Sequence, residues 1–265
     1  MEKVIGYRNK RIVYNVTGAG KSVVLLHGFL ENLHVWDGVL PYLSDNHRVI
    51  AIDLPGFGKS DVVNEIHSME LMADVVKIVL DTEQVASCLL IGHSMGGYVG
   101  AAFAEKFPEM LSGIVFFHSH AAPDNEDGIR NRNRTIEVVK KDKKNYIASF
   151  IPLMFAEENI VRYQNEITQL QIMALETSAE GVMAALAGMR DRNDQQPTLS
   201  ALNVPVMFII GKQDSWISID KIIPQISLPQ HSEILILEGV GHMGMIEESE
   251  KIMMALQSFV TRVSK

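Results

Sequence analysis

The chain has 265 residues, 47% hydrophobic and 21% charged, with a formal net charge of -8; that is apolar enough for one large α/β domain or a core with an insertion, and it excludes a disordered chain. The acidic excess argues against non-specific nucleic-acid binding through a basic surface. One cysteine, Cys88, excludes an internal disulfide framework and fits a reducing compartment, where it reads as a small buried hydrophobe.

The first residues, Met1-Glu2-Lys3-Val4-Ile5-Gly6, lack the apolar stretch of a signal peptide, and no run approaches the eighteen or so residues of a membrane span. A cytoplasmic, soluble protein with no membrane span is the expectation. Residues 3–17 read as two short strands with a turn at Asn9-Lys10, because Val4, Ile5, Ile12, Val13 and Val16 are β-formers around a polar break. Ser22 to Leu26 is a continuous apolar run of the kind buried on both faces of a parallel sheet, and it leads directly into His27-Gly28-Phe29. A glycine there lets backbone amides approach a ligand, at the sheet end where open α/β sheets bind ligands.

A helix is expected near 34–44. Arg48 to Ile52 gives another buried strand, followed by the breakers of Asp53-Leu54-Pro55-Gly56-Phe57-Gly58-Lys59-Ser60, which make a tight loop. Leu71, Met72, Val75, Val76, Val79 and Leu80 fall at helical spacing, and Ala86 to Ile91 returns to strand. A helix from Tyr98 to Phe107 stops at Pro108, and Ile114 to Phe117 is the next strand. This alternation with short connections calls for a mostly parallel sheet covered by helices on both faces.

From 121 to 197 the alternation stops. The segment opens with Asp124-Asn125-Glu126-Asp127, runs through a basic stretch at 130–144, and continues as amphipathic helical pieces carrying Met154, Met173, Met183 and Met189. It reads as a helical lid, 121–197, set into a core of 1–120 and 198–265. Pro197 to Asn203 reads as the return linker, Val206 to Ile210 and Ile234 to Leu237 as strands, and Ile252 to Val263 as a closing helix.

The chemistry centres on Gly92-His93-Ser94-Met95-Gly96, a G-x-S-x-G strand-to-helix turn. A serine that attacks a carbonyl must sit at the tip of a sharp turn, and Gly92 and Gly96 omit the side chains that would collide there. The following helix aims its N-terminal amides at Ser94, making the Met95 N–H a donor to a developing oxyanion. A nucleophilic serine needs a base, and the base needs a carboxylate to orient it. Asp214 follows the strand ending at Ile210, and His242 follows the strand ending at Leu237, so both arrive on loops at the sheet edge that carries Ser94.

With His27-Gly28-Phe29, Asp53 to Gly58, Gly92 to Gly97, Gly211-x-x-Asp214 and Gly241-His242, the chain resembles the α/β-hydrolase superfamily along nearly its whole length. The resemblance implies an eight-stranded, mostly parallel sheet with a helical lid between the sixth and seventh strands. It implies Ser94 as nucleophile, His242 as general base and then acid, Asp214 as the orienting carboxylate, and the Phe29 and Met95 amides as the oxyanion hole. It implies neither a metal nor an organic cofactor. Serine at the nucleophile position departs from the branches that use aspartate, such as epoxide hydrolases and haloalkane dehalogenases.

Other residues admit two readings each. His93 reads as a packing or hydrogen-bonding group, since the residue before an elbow serine points away from it. Asp53 reads as an anchor for its turn. His118 and His120, and Trp216 just after the acid, either contact substrate at the pocket wall or pack at the lid hinge and under the acid loop; His118 and Trp216 are the substrate-binding candidates. Arg130, Arg132, Arg134, Lys140, Lys141, Lys143 and Lys144 form either a solvated helix face or a recognition surface for an anionic substrate group. The expected activity is hydrolysis of a small or medium carboxylic ester or related small acyl compound. The alternatives are carbon–carbon bond hydrolysis, a lyase or synthase step, lactone opening or perhydrolysis on the same triad, and a non-catalytic ligand receptor, against which the intact triad counts. The sequence leaves the oligomeric state open.

Overall fold

The computed structural model describes residues 1–263. Strands β1 (Glu2–Tyr7) and β2 (Lys10–Thr17) form the leading hairpin. Its turn lies at Arg8 and Asn9, both at positive φ (50° and 61°), one residue before the expected Asn9-Lys10. Then come β3 (Lys21–Leu26), β4 (His47–Ile52), β5 (Cys88–His93), β6 (Leu111–Phe117), β7 (Val206–Gly211) and β8 (Ser232–Leu237). They form one eight-stranded sheet in the order β1-β2-β4-β3-β5-β6-β7-β8. Strand β2 runs antiparallel to β1 and β4, and every other pairing is parallel.

The burial of each strand follows its place in the sheet. Every residue of β5 and β7 is buried, whereas the edge strands β1 and β8 alternate between exposed and covered positions. Continuous apolar runs occupy the centre, covered on both faces, and alternating sequences occupy the edges. From β3 the chain passes to β4 on one side, while β5 pairs with β3 on the other, so the carboxyl ends of β3 and β5 flank a topological switch point.

The expected helix near 34–44 is broken. A 3₁₀ turn spans Leu33–Trp36 and a separate short helix, α1, spans Leu40–Ser44. Pro41 has no N–H to continue a helix from residue 37, and its ring excludes the preceding turn, so it serves instead in the first turn of α1. Helix α2 (Met69–Thr82) is capped by the Ser68 hydroxyl, which accepts the Leu71 N–H at 3.1 Å, and α3 (Met95–Lys106) follows the elbow.

Between β6 and β7 lies the helical insertion: α4 (Glu126–Phe150), α5 (Gln164–Glu176), α6 (Ala179–Arg190) and α7 (Gln196–Ala201). Helix α4 breaks at Asp142 (φ -156°, ψ 78°), whose carboxylate accepts the Asn145 N–H at 3.0 Å and so caps the restarted helix. The expected return linker at 197–203 is largely helical, because Pro197 falls in the first turn of α7, where its missing N–H has no intrahelical role. Helix α6 sits against core backbone through glycines: a Cβ on Gly188 would lie 1.7 Å from the His67 carbonyl oxygen, and one on Gly181 2.4 Å from that of Gly56. Helices α8 (Ile219–Ile226), α9 (Gly244–Glu247) and α10 (Ser249–Val263) complete the chain. No single helix among the described residues is long and apolar enough to cross a membrane.

Candidate active site

Ser94 stands between β5 and α3 at φ 49° and ψ -115°, a conformation that a non-glycine residue adopts only when its surroundings enforce it. The enforcement is close backbone packing. A Cβ on Gly92 would lie 2.4 Å from the Gly96 carbonyl oxygen, and one on Gly96 would lie 2.2 Å from that of Leu26. The Ser94 N–H donates to the Phe117 carbonyl at 2.9 Å, and the Ser119 hydroxyl donates to the Ser94 carbonyl at 2.7 Å, fixing the turn against the end of β6.

Asp214 and His242 meet at the ends of β7 and β8. Asp214 Oδ2 lies 2.6 Å from His242 Nδ1, while Oδ1 accepts the Trp216 and Ile217 N–H groups, both at 2.9 Å. Burial alone would raise the Asp214 carboxyl, but His242, its hydrogen bond, His118 and the Ile217 amide together hold it below the usual aspartate range. A carboxylate that stays ionised there fixes the imidazole tautomer and leaves Nε2 as the free nitrogen. His242 and Ser94 border the same cavity, of about 210 Å³.

Phe29, in the loop after β3, borders the same cavity as Ser94, and Met95 opens α3 directly after it. Among the described residues neither N–H donates to a protein acceptor. The loop that carries Phe29 is held by a group the sequence reading missed. Glu31 Oε2 accepts the Gly28 N–H at 2.6 Å and lies 2.9 Å from His93 Nδ1, and His93 Nε2 is 3.0 Å from the His242 carbonyl oxygen. Both side chains are fully buried. Burial would raise the Glu31 carboxyl and lower the His93 imidazole, yet each partner reverses the other's shift, so the carboxyl lies below and the imidazole above its ordinary value. The signal was present in Phe29-Leu30-Glu31-Asn32-Leu33, where an acid inside an apolar stretch needs a buried partner.

Glu247 was also missed. Its Oε2 accepts the Gly241 N–H at 2.9 Å, and its Oε1 accepts the Ala156 N–H and an Asn159 side-chain N–H, each at 2.8 Å. One carboxylate therefore ties the histidine loop to the insertion, and the His242 N–H adds a bond to the Met154 carbonyl at 2.6 Å.

Of the two substrate-binding candidates, Trp216 borders the cavity and His118 does not. His118, at φ 45°, turns its ring behind the Asp214–His242 pair, where it is fully buried, with Nδ1 accepting the Gly211 N–H at 3.3 Å. Contrary to the expectation, it does not line the pocket: burial, and then the neighbouring imidazoles, hold its pKa well below the ordinary value, and its ring lies 5.8 Å from that of His242. His120 is likewise buried, its ring 5.3 Å from that of Tyr98. Asp53 anchors its turn, its two oxygens accepting the Leu33 and Lys59 N–H groups at 2.8 Å each. The Trp216 ring lies 4.5 Å from Phe150, which packs at 5.9 Å against Phe29, giving the cavity an aromatic wall; Leu186 and Met189 of α6 add aliphatic surface.

A family model described as the alpha/beta hydrolase fold matches residues 21–156. A pimeloyl-[acyl-carrier protein] methyl ester esterase from Aeromonas hydrophila is 28% identical over 92% of this chain and 96% of its own length. A 2-hydroxy-6-oxononadienedioate/2-hydroxy-6-oxononatrienedioate hydrolase from Paraburkholderia phymatum is 29% identical over 94% of this chain and 91% of its own. Among solved structures, a thermophilic esterase from Thermogutta terrifontis superposes with a TM-score of 0.92 at 29% identity, covering 97% of this chain and 95% of that one.

Proposed function

The chain belongs to the α/β-hydrolase fold family, and from that membership we propose that it is a serine hydrolase cleaving a small or medium carboxylic ester or related acyl compound through Ser94, His242 and Asp214. The observation that carries the proposal is the 2.6 Å contact between Asp214 Oδ2 and His242 Nδ1, on a carboxylate pinned by two backbone amides, beside a serine at φ 49° on the same cavity. A binding protein has no need of an oriented imidazole next to a strained serine.

In the proposed cycle His242 Nε2 takes the Ser94 hydroxyl proton as Oγ attacks the acyl carbon. The tetrahedral oxyanion is held by the Phe29 and Met95 N–H groups, and Asp214 stabilises the imidazolium that forms. Collapse expels the alcohol, which receives the proton from His242, and leaves an ester on Ser94. Water, deprotonated by the same imidazole, attacks that ester; collapse breaks the bond to Ser94 Oγ, which takes the proton back from His242, and the acid leaves. The aromatic and aliphatic wall favours an apolar segment in the acyl group.

Carbon–carbon hydrolysis is the second reading, favoured by the Paraburkholderia relative, which is named for that class of substrate. Turnover of p-nitrophenyl esters from acetate to octanoate, beside a vinylogous diketone panel, separates the two. Ester turnover lost in Ser94→Ala supports the esterase reading. Cleavage confined to the diketones replaces it with the second, and turnover of neither class refutes both.

A further inference from the structure

We propose that the cavity above Ser94 contains an anion subsite in which Arg132 and Lys221 bind a carboxylate carried by the acyl substrate. This rests on the hydrolase reading and narrows its substrate class to carboxylate-bearing acyl compounds, such as half-esters of dicarboxylic acids.

The two cations reach the cavity from different parts of the chain, Arg132 from α4 of the insertion and Lys221 from α8 after the acid loop. Arg132 Nε lies 3.1 Å from Asp124 Oδ2, which fixes the plane of the guanidinium. Among the described residues its Nη1 and Nη2 meet no protein acceptor, and neither does Lys221 Nζ. Asp124 is already shared: its Oδ1 lies 2.8 Å from Nη1 of Arg192, a buried guanidinium that also donates to the Ala122 and Met189 carbonyls. Asp124 is thus shared between two guanidiniums, and among the described residues it is the one carboxylate that borders the cavity, against Arg132 and Lys221.

A positive excess in the reaction chamber of a chain with net charge -8 is a local arrangement, not a consequence of bulk composition. Its field reaches the neighbouring His120, whose imidazole is pushed down to about 3, first by burial and then by Arg192 and Lys221. Arg130, two residues earlier on α4, is placed differently. That side chain is 64% exposed and pairs with Asp127 of its own helix, while Arg132 is 25% exposed and turned inward. A guanidinium fork with two free nitrogens matches a carboxylate in geometry and charge, and Asn131 and Thr135 on the same wall offer further hydrogen bonds. An anion held there joins the insertion to the core and sets the acyl chain across the aromatic wall toward Ser94.

The test compares mono-p-nitrophenyl esters of succinate, glutarate and adipate with p-nitrophenyl butyrate, pentanoate and hexanoate, and measures glutarate binding by calorimetry. At least one chain length is expected to give a higher kcat/KM for the carboxylated ester than for its neutral counterpart. In Arg132→Gln and in Lys221→Gln that ratio falls about tenfold, mainly through KM, and glutarate binding weakens in parallel. Because Lys221 Nζ has no protein partner among the described residues, its substitution removes charge without breaking a contact described there. A ratio near one at every length in wild type, or unchanged in Lys221→Gln, overturns the subsite while ester turnover leaves the hydrolase reading standing. Absent ester turnover with glutarate binding that still depends on Lys221 refutes the esterase reading and supports the subsite.

Discussion

Glu31 and His93, 62 residues apart in sequence, form a fully buried pair at 2.9 Å that joins the loop carrying Phe29 to the loop carrying His242. On one side the carboxylate holds the Gly28 N–H, next to the Phe29 amide; on the other the imidazole reaches the His242 carbonyl oxygen. The pair touches no reacting atom. It positions two parts of the site that different strands deliver.

Glu31→Gln removes the charge partner of a buried imidazole, and such losses cost about 3–5 kcal/mol. The folded Glu31 carboxyl lies below its ordinary 4.5, so its contribution is complete above pH 4.5 and is lost as pH falls through the folded value. The folded His93 imidazole lies above its ordinary 6.5, so its contribution is complete below pH 6.5 and is lost as pH rises through the folded value. The stability gap between wild type and Glu31→Gln is therefore widest from pH 4.5 to 6.5 and narrows on either side. Urea unfolding across pH 3 to 9 measures it, and a gap independent of pH contradicts an ionised pair. At neutral pH the variant should lose kcat more than it gains in KM, since what moves is the oxyanion loop.

Asp214→Asn keeps the size of the acid and removes its charge. The asparagine no longer stabilises the imidazolium or imposes the tautomer with Nε2 free, and kcat is expected to fall about 10⁴-fold with KM little changed. Steady-state kinetics on a short p-nitrophenyl ester, with stability checked by thermal unfolding, measures this. A fall of less than tenfold in a folded variant removes Asp214 from the triad.

The insertion is seated on the core through α6. In Gly188→Ala the new methyl would stand 1.7 Å from the His67 carbonyl oxygen, with backbone on both sides, so α6 must lift. The expected cost is about 1–3 kcal/mol, or a Tm lower by roughly 3–10 °C. Calorimetry tests it, and an unchanged Tm means that α6 is not seated through this contact.

What the sequence made legible is what lies close together along the chain. Strand-glycine-acid and strand-glycine-histidine patterns, each a few residues long, place Asp214 and His242 at strand ends, and the period changes from Leu71 to Ile91 mark helix and strand. The Glu31–His93–His242 chain was invisible because its partners are 62 and 149 residues apart. The position of His118 after β6 suggested a pocket wall, but at φ 45° its ring lies beside Asp214 and His242, a fact of local backbone that no side-chain pattern carries. Among the basic residues of α4, two positions along the helix separate solvated Arg130 from inward Arg132, and only the way the helix packs decides which of them faces the cavity.

In the proposed reading Ser94 is an activated nucleophile. A fluorophosphonate probe followed by intact-mass and peptide-mass analysis tests it most directly. Stoichiometric labelling is expected on the peptide containing Ser94, slowed in Asp214→Asn and absent in Ser94→Ala. An unlabelled wild-type protein, or an adduct on any other residue, would contradict it.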